Sequence, residues 1–153
     1  MSDETLQREI EAAIRRIYRS YLQFDPAGIE QGDAEDCTLW DLWTPQLIRG
    51  AAERAAFRAD DMAASRQRGP LTIEIEPPLV TRHQDVAVAR YYLNFAFQPP
   101  DATSGRVRVT SVFERTPNGW RRVHHHEGIV PTGRPPLQEL PEREGKREAG
   151  QLG

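Results

Sequence analysis

A single cysteine, Cys37, stands in the 153 residues, so no internal disulfide can staple the fold. A lone free cysteine reads as a small buried side chain more readily than as a nucleophile. There is no glycine-rich phosphate loop and no cysteine cluster, and no cofactor is expected. No apolar run approaches the ~20 residues that span a bilayer, so no membrane partner is expected. The opening MSDETLQREIEAA is polar and acidic and lacks the basic-then-apolar order of a secretory leader. A cytoplasmic location is the expectation. Charge of one sign is missing as well: 20 basic and 23 acidic residues are interleaved, with a net charge of -3. Without a basic block there is no footprint for a phosphate backbone, and nucleic acid is not an expected partner.

What is present suffices for one core and one domain, with 38% hydrophobic residues. From residue 4 to 24, Leu6, Ile10, Ile14, Ile17, Tyr21 and Phe24 recur at spacings of three and four, the stripe of an amphipathic helix that Ser2 or Asp3 can cap. Asp25-Pro26-Ala27-Gly28 ends it, and residues 26 to 36 hold at most a short helical turn. CTLWDLWT at 37–44 predicts a strand stopped by Pro45. After Gly50 a second helix is expected through residue 68, with its alanines, Phe57 and Met62 on the apolar face. Strand patterns follow at 71–79, 86–97, 106–116 and 120–129.

The last two strands are expected to join at Pro117-Asn118-Gly119-Trp120, with Asn-Gly as the two-residue loop. That register sets Arg115 opposite Arg122, Phe113 opposite His124 and Ser111 opposite His126, and gathers Val109, Ser111, Phe113, Trp120, His124 and His126 on one face. Large apolar groups mixed with a few polar ones suit a pocket wall, and they suit an ordinary buried face with two satisfied histidines too. His125 is expected on the opposite face. Residues 1–131 form the expected pocket domain. The remainder, 132–153, is dense in proline, glycine and charge and is expected to be a flexible tail.

Thr38-Leu39-Trp40-Asp41, followed by Gly50 and an alanine-rich helix, resembles the SnoaL-like pattern of short strand, turn, glycine and helix. The closing Asn118-Gly119-Trp120-Arg121-Arg122-Val123-His124-His125-His126 resembles the final hairpin of the association domain of calmodulin-dependent protein kinases and its bacterial relatives. Together these identify residues 4 to 131 as similar to the nuclear transport factor two-like superfamily, which includes SnoaL-like proteins and ketosteroid isomerase. The resemblance implies an α+β fold, a cone-shaped, curved, mostly antiparallel sheet wrapped around N-terminal helices, with a pocket between them and a homodimer formed through the sheet. It further implies that Asp41 lies near the general base of ketosteroid isomerase, and that Tyr18 matches the helix tyrosine that steadies its oxyanion.

A carboxylate facing an apolar pocket is desolvated, holds its proton more tightly and can take one from carbon beside a carbonyl. Asp41 is the expected base, Tyr18 the donor, and Trp43, Phe57, Ser111, Phe113, His124 and His126 the lining of a pocket for a small hydrophobic molecule. Asp41 could equally be a polar strand residue near a turn. His124 and His126, two apart on a strand, could grip a metal if Asp41 or His83 converged on them, although no metal is expected. Acid–base isomerisation, dehydration, cyclisation or hydrolysis of a carbonyl compound is the leading reading. A non-enzymatic association module and a metal-dependent enzyme are the alternatives.

Overall fold

The computed structural model describes residues 1–131 and Gly133, and the expected tail at 132–153 lies outside the described residues apart from that glycine. Helix α1 (Asp3–Leu22) begins where the Ser2 side chain accepts the Thr5 backbone N–H, at 3.2 Å. It buries Leu6, Ile10, Ile14 and Ile17 as its spacing predicts, each contributing roughly 1.5–3 kcal/mol. Phe24 lies beyond its end, with the Arg66 guanidinium 4.4 Å above the ring. Asp25 caps the short helix α2 (Pro26–Gly32) by accepting from the Gly28 N–H.

Strand β1 runs Asp33–Trp40, four residues earlier than its aromatic content suggests. Asp33 is pulled into register opposite Arg122, which grips its carboxylate, so a tertiary ion pair overrides weak strand propensity. At the other end Asp41 leaves the strand because its Oδ2 accepts from the backbone of Trp43 and Thr44 and from the Thr44 hydroxyl, folding 41–44 into a turn. A two-residue strand β2 (Ile48–Arg49) then pairs back onto β1.

Helix α3 (Gly50–Arg68) has the expected bounds and turns Met62 and, in part, Phe57 inward as expected, but not its alanines. Its alanines are exposed or half-exposed, while Arg54, Arg58, Met62 and Ser65 are buried. The reason is a charged partner inside: Asp33 and Glu30 wait on the adjacent segment, and arginine stems carry their forks to them.

The expected strand 71–79 is two strands, β3 (Leu71–Ile75) and β4 (Leu79–His83), parted at Pro77-Pro78, which have no N–H to offer a ladder. Both pair with β5 (Val86–Phe97), β4 along its first half and β3 along its second. β6 (Ser104–Thr116) and β7 (Gly119–Ile129) complete a mixed, unclosed sheet in the order β2-β1-β7-β6-β5-β3. Among the described residues, only β1 and β7 run parallel. Helix α1 packs across the inner face in one core with Ala87, Ala89, Tyr91, Leu93, Val109 and Phe113, and the two alanines are fully buried.

Candidate functional site

A cavity of about 160 Å³ opens between the helices and the inner face of the sheet. Ile17, Tyr18 and Tyr21 from α1 line it on one side. Asp41, Leu42 and Trp43 from the turn after β1, and Phe57, Arg58 and Asp61 from α3, line the other. The sheet contributes Leu93, Phe95, Val107, Arg122, His125 and Glu127. Trp43 is 73% exposed, so it stands at the mouth and not in the depth.

The face that β7 turns to the cavity differs from the expected one. The hairpin loop is Pro117-Asn118, between Thr116 and Gly119, and Phe113 pairs with Arg122. One step on, Val112 pairs with His124, leaving Val123 as the extra residue of a β-bulge. A single inserted residue reverses which side chains point in. Ser111 therefore lies opposite His125, and Val109 opposite Glu127. His125 and Glu127 face inward, whereas His124 and His126 face outward. The expectation that His124 and His126 line the pocket, with His125 outside, is corrected on both counts.

The inward groups form a continuous series. Tyr18 Oη lies 3.1 Å from Tyr91 Oη, which lies 3.5 Å from Ser111 Oγ. Ser111 Oγ is 2.9 Å from His125 Nδ1, and His125 Nε2 is 3.0 Å from Glu127 Oε1. Burial, with the charge of Asp41 nearby, pushes the Glu127 carboxyl up to about 7, against the opposing pull of Arg122. Burial and then the neighbouring Arg122 hold His125 well below the usual imidazole range, so its ring is neutral. Burial and the Tyr91 hydroxyl raise Tyr18 well above an ordinary phenol, and burial raises Tyr91. Asp61 is likewise raised by burial, although its hydrogen bond with Tyr21 opposes the rise.

Beside the cavity sits a buried ionic cluster. Arg122 holds Asp33 with two bonds, Nε to Oδ1 at 2.7 Å and Nη2 to Oδ2 at 3.1 Å, and Arg58 adds a third at 2.9 Å. Burial works to raise Asp33, but Arg122 and Arg58 outweigh it and the carboxylate ends below its ordinary range. Arg54 pairs with Glu30 through both its Nε and Nη2, and donates to the Glu35 and Cys37 carbonyls. Cys37 is fully buried, and burial pushes its thiol up to about 12, far from the thiolate a nucleophile needs.

Of the residues singled out in the sequence, Tyr18, Asp41, Trp43 and Phe57 come together on the cavity wall. Ser111 lies just behind it, in contact through His125, and Phe113 is a fully buried member of the main core. The outward His124 and His126 rings stand 6.5 Å apart, and His124 Nδ1 is bonded to the Thr38 hydroxyl at 2.7 Å. Asp41 is not beside this pair but on the other side of the sheet, and no group of three metal-binding side chains occurs among the described residues. Sequence reading missed His125, Glu127, Tyr91 and Asp61. For Asp61 there was a signal, since Arg54, Arg58, Asp61 and Ser65 recur at helical spacing as a polar stripe. For His125 and Glu127 there was none, because nothing in the sequence marks the bulge.

No helix among the described residues is long and apolar enough to cross a membrane. No curated protein matches the chain. Among solved structures, an NTF2-like protein with a cystatin-like fold from Novosphingobium aromaticivorans is 23% identical, with a TM-score of 0.71 over 82% of each chain. A protein of the NTF2-like family from Streptomyces avermitilis, described as a dehydratase, is 20% identical with a TM-score of 0.74 over 85% of this chain and 99% of its own. One from Xanthomonas campestris, described as a calcium/calmodulin dependent protein kinase II association domain, is 16% identical with a TM-score of 0.70 over 82% and 89%. These likenesses show the fold. The sequence itself matches the SnoaL-like domain over residues 10–132. With the curved sheet, the covering helices and the cavity between them in place, the chain belongs to the SnoaL-like domain family and has the NTF2-like fold.

Proposed function

We propose that the cavity binds a small, largely hydrophobic molecule bearing a carbonyl or hydroxyl oxygen, and that it performs acid–base chemistry on it with Glu127 as the base. The observation that carries this reading is a carboxyl group held near pH 7 in the wall of a cavity whose surface is mostly apolar, with a neutral histidine bonded to it. A base balanced at that value is half ionised at neutral pH and still strong enough to draw a proton from carbon beside a carbonyl. Once Glu127 has taken the proton, Tyr18, on the cavity wall, can turn its hydroxyl from Tyr91 to the oxygen on which charge develops. Asp41, whose Oδ2 is committed to three donors of its own turn, shapes the mouth and adds the negative charge that helps raise Glu127. Isomerisation and dehydration are the reactions such a pair serves, and the Streptomyces avermitilis relative described as a dehydratase is in keeping with this.

The test is solvent deuterium exchange at the carbon next to the carbonyl in a panel of small cyclic ketones. The expected result is exchange in the wild type that follows an ionisation near 7 and falls by about 100-fold or more in Glu127→Gln. Equal exchange in wild type and Glu127→Gln would remove Glu127 from the chemistry.

A second reading concerns assembly. The outer face of the sheet exposes Trp40, Leu79, Val86 and Tyr92 around a groove that also takes in Arg90, Arg108 and His126. A second copy of the chain packing through this face covers those groups, and two structural relatives are described as association domains. Homodimerisation through the sheet is compatible with an open cavity, which lies on the other side.

A further inference from the structure

We infer that the series Tyr18, Tyr91, Ser111, His125 and Glu127 is a proton relay that carries the hydroxyl proton of a small phenol or enol bound at Tyr18 to the Glu127 carboxylate. This rests on the cavity being a ligand site and goes further, naming hydroxyl compounds as its substrate class and three residues that never need to touch them.

The distances allow either direction at each link, and an ionised Glu127 selects one. Glu127 ionised accepts from His125 Nε2–H, at 3.0 Å. A neutral ring protonated there has a bare Nδ1, which accepts from the Ser111 hydroxyl at 2.9 Å. Ser111 Oγ then accepts from Tyr91, and Tyr91 accepts from Tyr18, at 3.5 and 3.1 Å. With its own proton committed inward, the Tyr18 oxygen faces the cavity as an acceptor. A ligand hydroxyl is the group that fits it.

Transfer moves one proton at each link. The ligand O–H bond breaks and its proton goes to Tyr18. Tyr18 passes its own to Tyr91, Tyr91 to Ser111, Ser111 to His125 Nδ1, and the Nε2 proton goes to Glu127. The ligand becomes an oxyanion, Glu127 becomes neutral, and His125 stays neutral but changes tautomer. Every hydroxyl now points the other way, so Tyr18 donates to the new oxyanion. The Tyr91 and Ser111 hydroxyls are buried, which keeps water from short-circuiting the middle of the series. The charged groups around Glu127 are Asp41, Asp61, Arg58 and Arg122, and Arg122, Arg58 and Asp33 also face His125.

The test uses para-nitrophenol, whose ionisation is visible, and nitrogen NMR of the His125 ring. In the wild type, binding as the phenolate is expected to switch His125 from the Nε2–H to the Nδ1–H form, changing the tautomer ratio by at least about tenfold. Tyr91→Phe removes one buried oxygen and keeps the ring. In it the dye is expected to bind within about tenfold of wild type while the tautomer stays unmoved, and Ser111→Ala should behave alike. A His125 tautomer indifferent to bound phenolate in the wild type, or switching equally in Tyr91→Phe, would overturn the relay while leaving the pocket standing. Failure of the dye and of the ketone panel to bind the wild type at all would take the pocket reading down, and the relay with it.

Discussion

At the scale of single residues, the two inward groups of β7 pull stability in opposite directions with pH. Glu127 is raised on folding, from an ordinary 4.5 to about 7, so the native state binds a proton there that the unfolded chain has released. Its contribution is full below 4.5 and is lost as pH rises to 7. His125 is lowered, so the unfolded chain takes up a proton below about 6.5 that the native state refuses, and stability is lost as pH falls. Between these limits the two slopes oppose each other. Glu127→Gln keeps the shape and removes one of them. Urea denaturation from pH 5 to 8 should show the variant gaining on wild type as pH rises and levelling off above about 7, at up to about 3 kcal/mol. A constant difference across that range would mean that Glu127 is not desolvated. Tyr18 and Asp41 could be picked out in the sequence through the family resemblance, and Trp43 and Phe57 through the aromatic pattern. His125 and Glu127 could not, because their direction depends on Val123 being skipped by the ladder.

At the scale of elements, boundaries were legible where backbone chemistry decides them and faces were not where charge decides them. The break around Asp25-Pro26, where α2 begins, the start of α3 at Gly50 and the long β5 follow from proline, glycine and alternation. The α3 alanines read as an inner face, but the helix instead turns arginine inward, because the acidic partners that reward this come from a different part of the chain. Gly69, which ends α3, has a φ of +115° and a ψ of 179°, a conformation essentially confined to glycine. An added Cβ there would sit 2.5 Å from the Gln98 carbonyl oxygen and 2.7 Å from that of Pro99. Both are backbone atoms and cannot swing aside. Gly69→Ala is therefore expected to cost about 2 kcal/mol or more in chemical denaturation, and a loss below ~0.5 kcal/mol would show that the α3–β3 junction can move.

At the scale of the whole molecule, the two faces of the sheet divide the work. The inner face holds the cavity, and the outer face holds the exposed Tyr92, with Arg106 stacked 3.6 Å above its ring, and Leu79 at 65% exposure. Equilibrium sedimentation is expected to give a dimer that Tyr92→Glu drives to monomer, because a charge buried at a two-fold contact is met by its own copy. A wild-type monomer at micromolar concentration would set this reading aside. The fold class was readable from the order of helices and strands. The assembly was only implied, since a sheet covered on both faces does not say by what.

The position of β7 has a consequence for how the chain comes into being. Among the described residues it is the last strand made, yet it lies between β1, the first, and β6. Until residues 119–129 have emerged from the ribosome, β1 and β6 each present an open edge and Asp33 lacks the two bonds from Arg122. The nascent chain can form helices and the β5–β6 ladder, but it cannot close its sheet. The domain is thus expected to reach its native state only after synthesis of its final strand, and a ribosome stalled before Gly119 would release a chain with two sticky edges and no cavity.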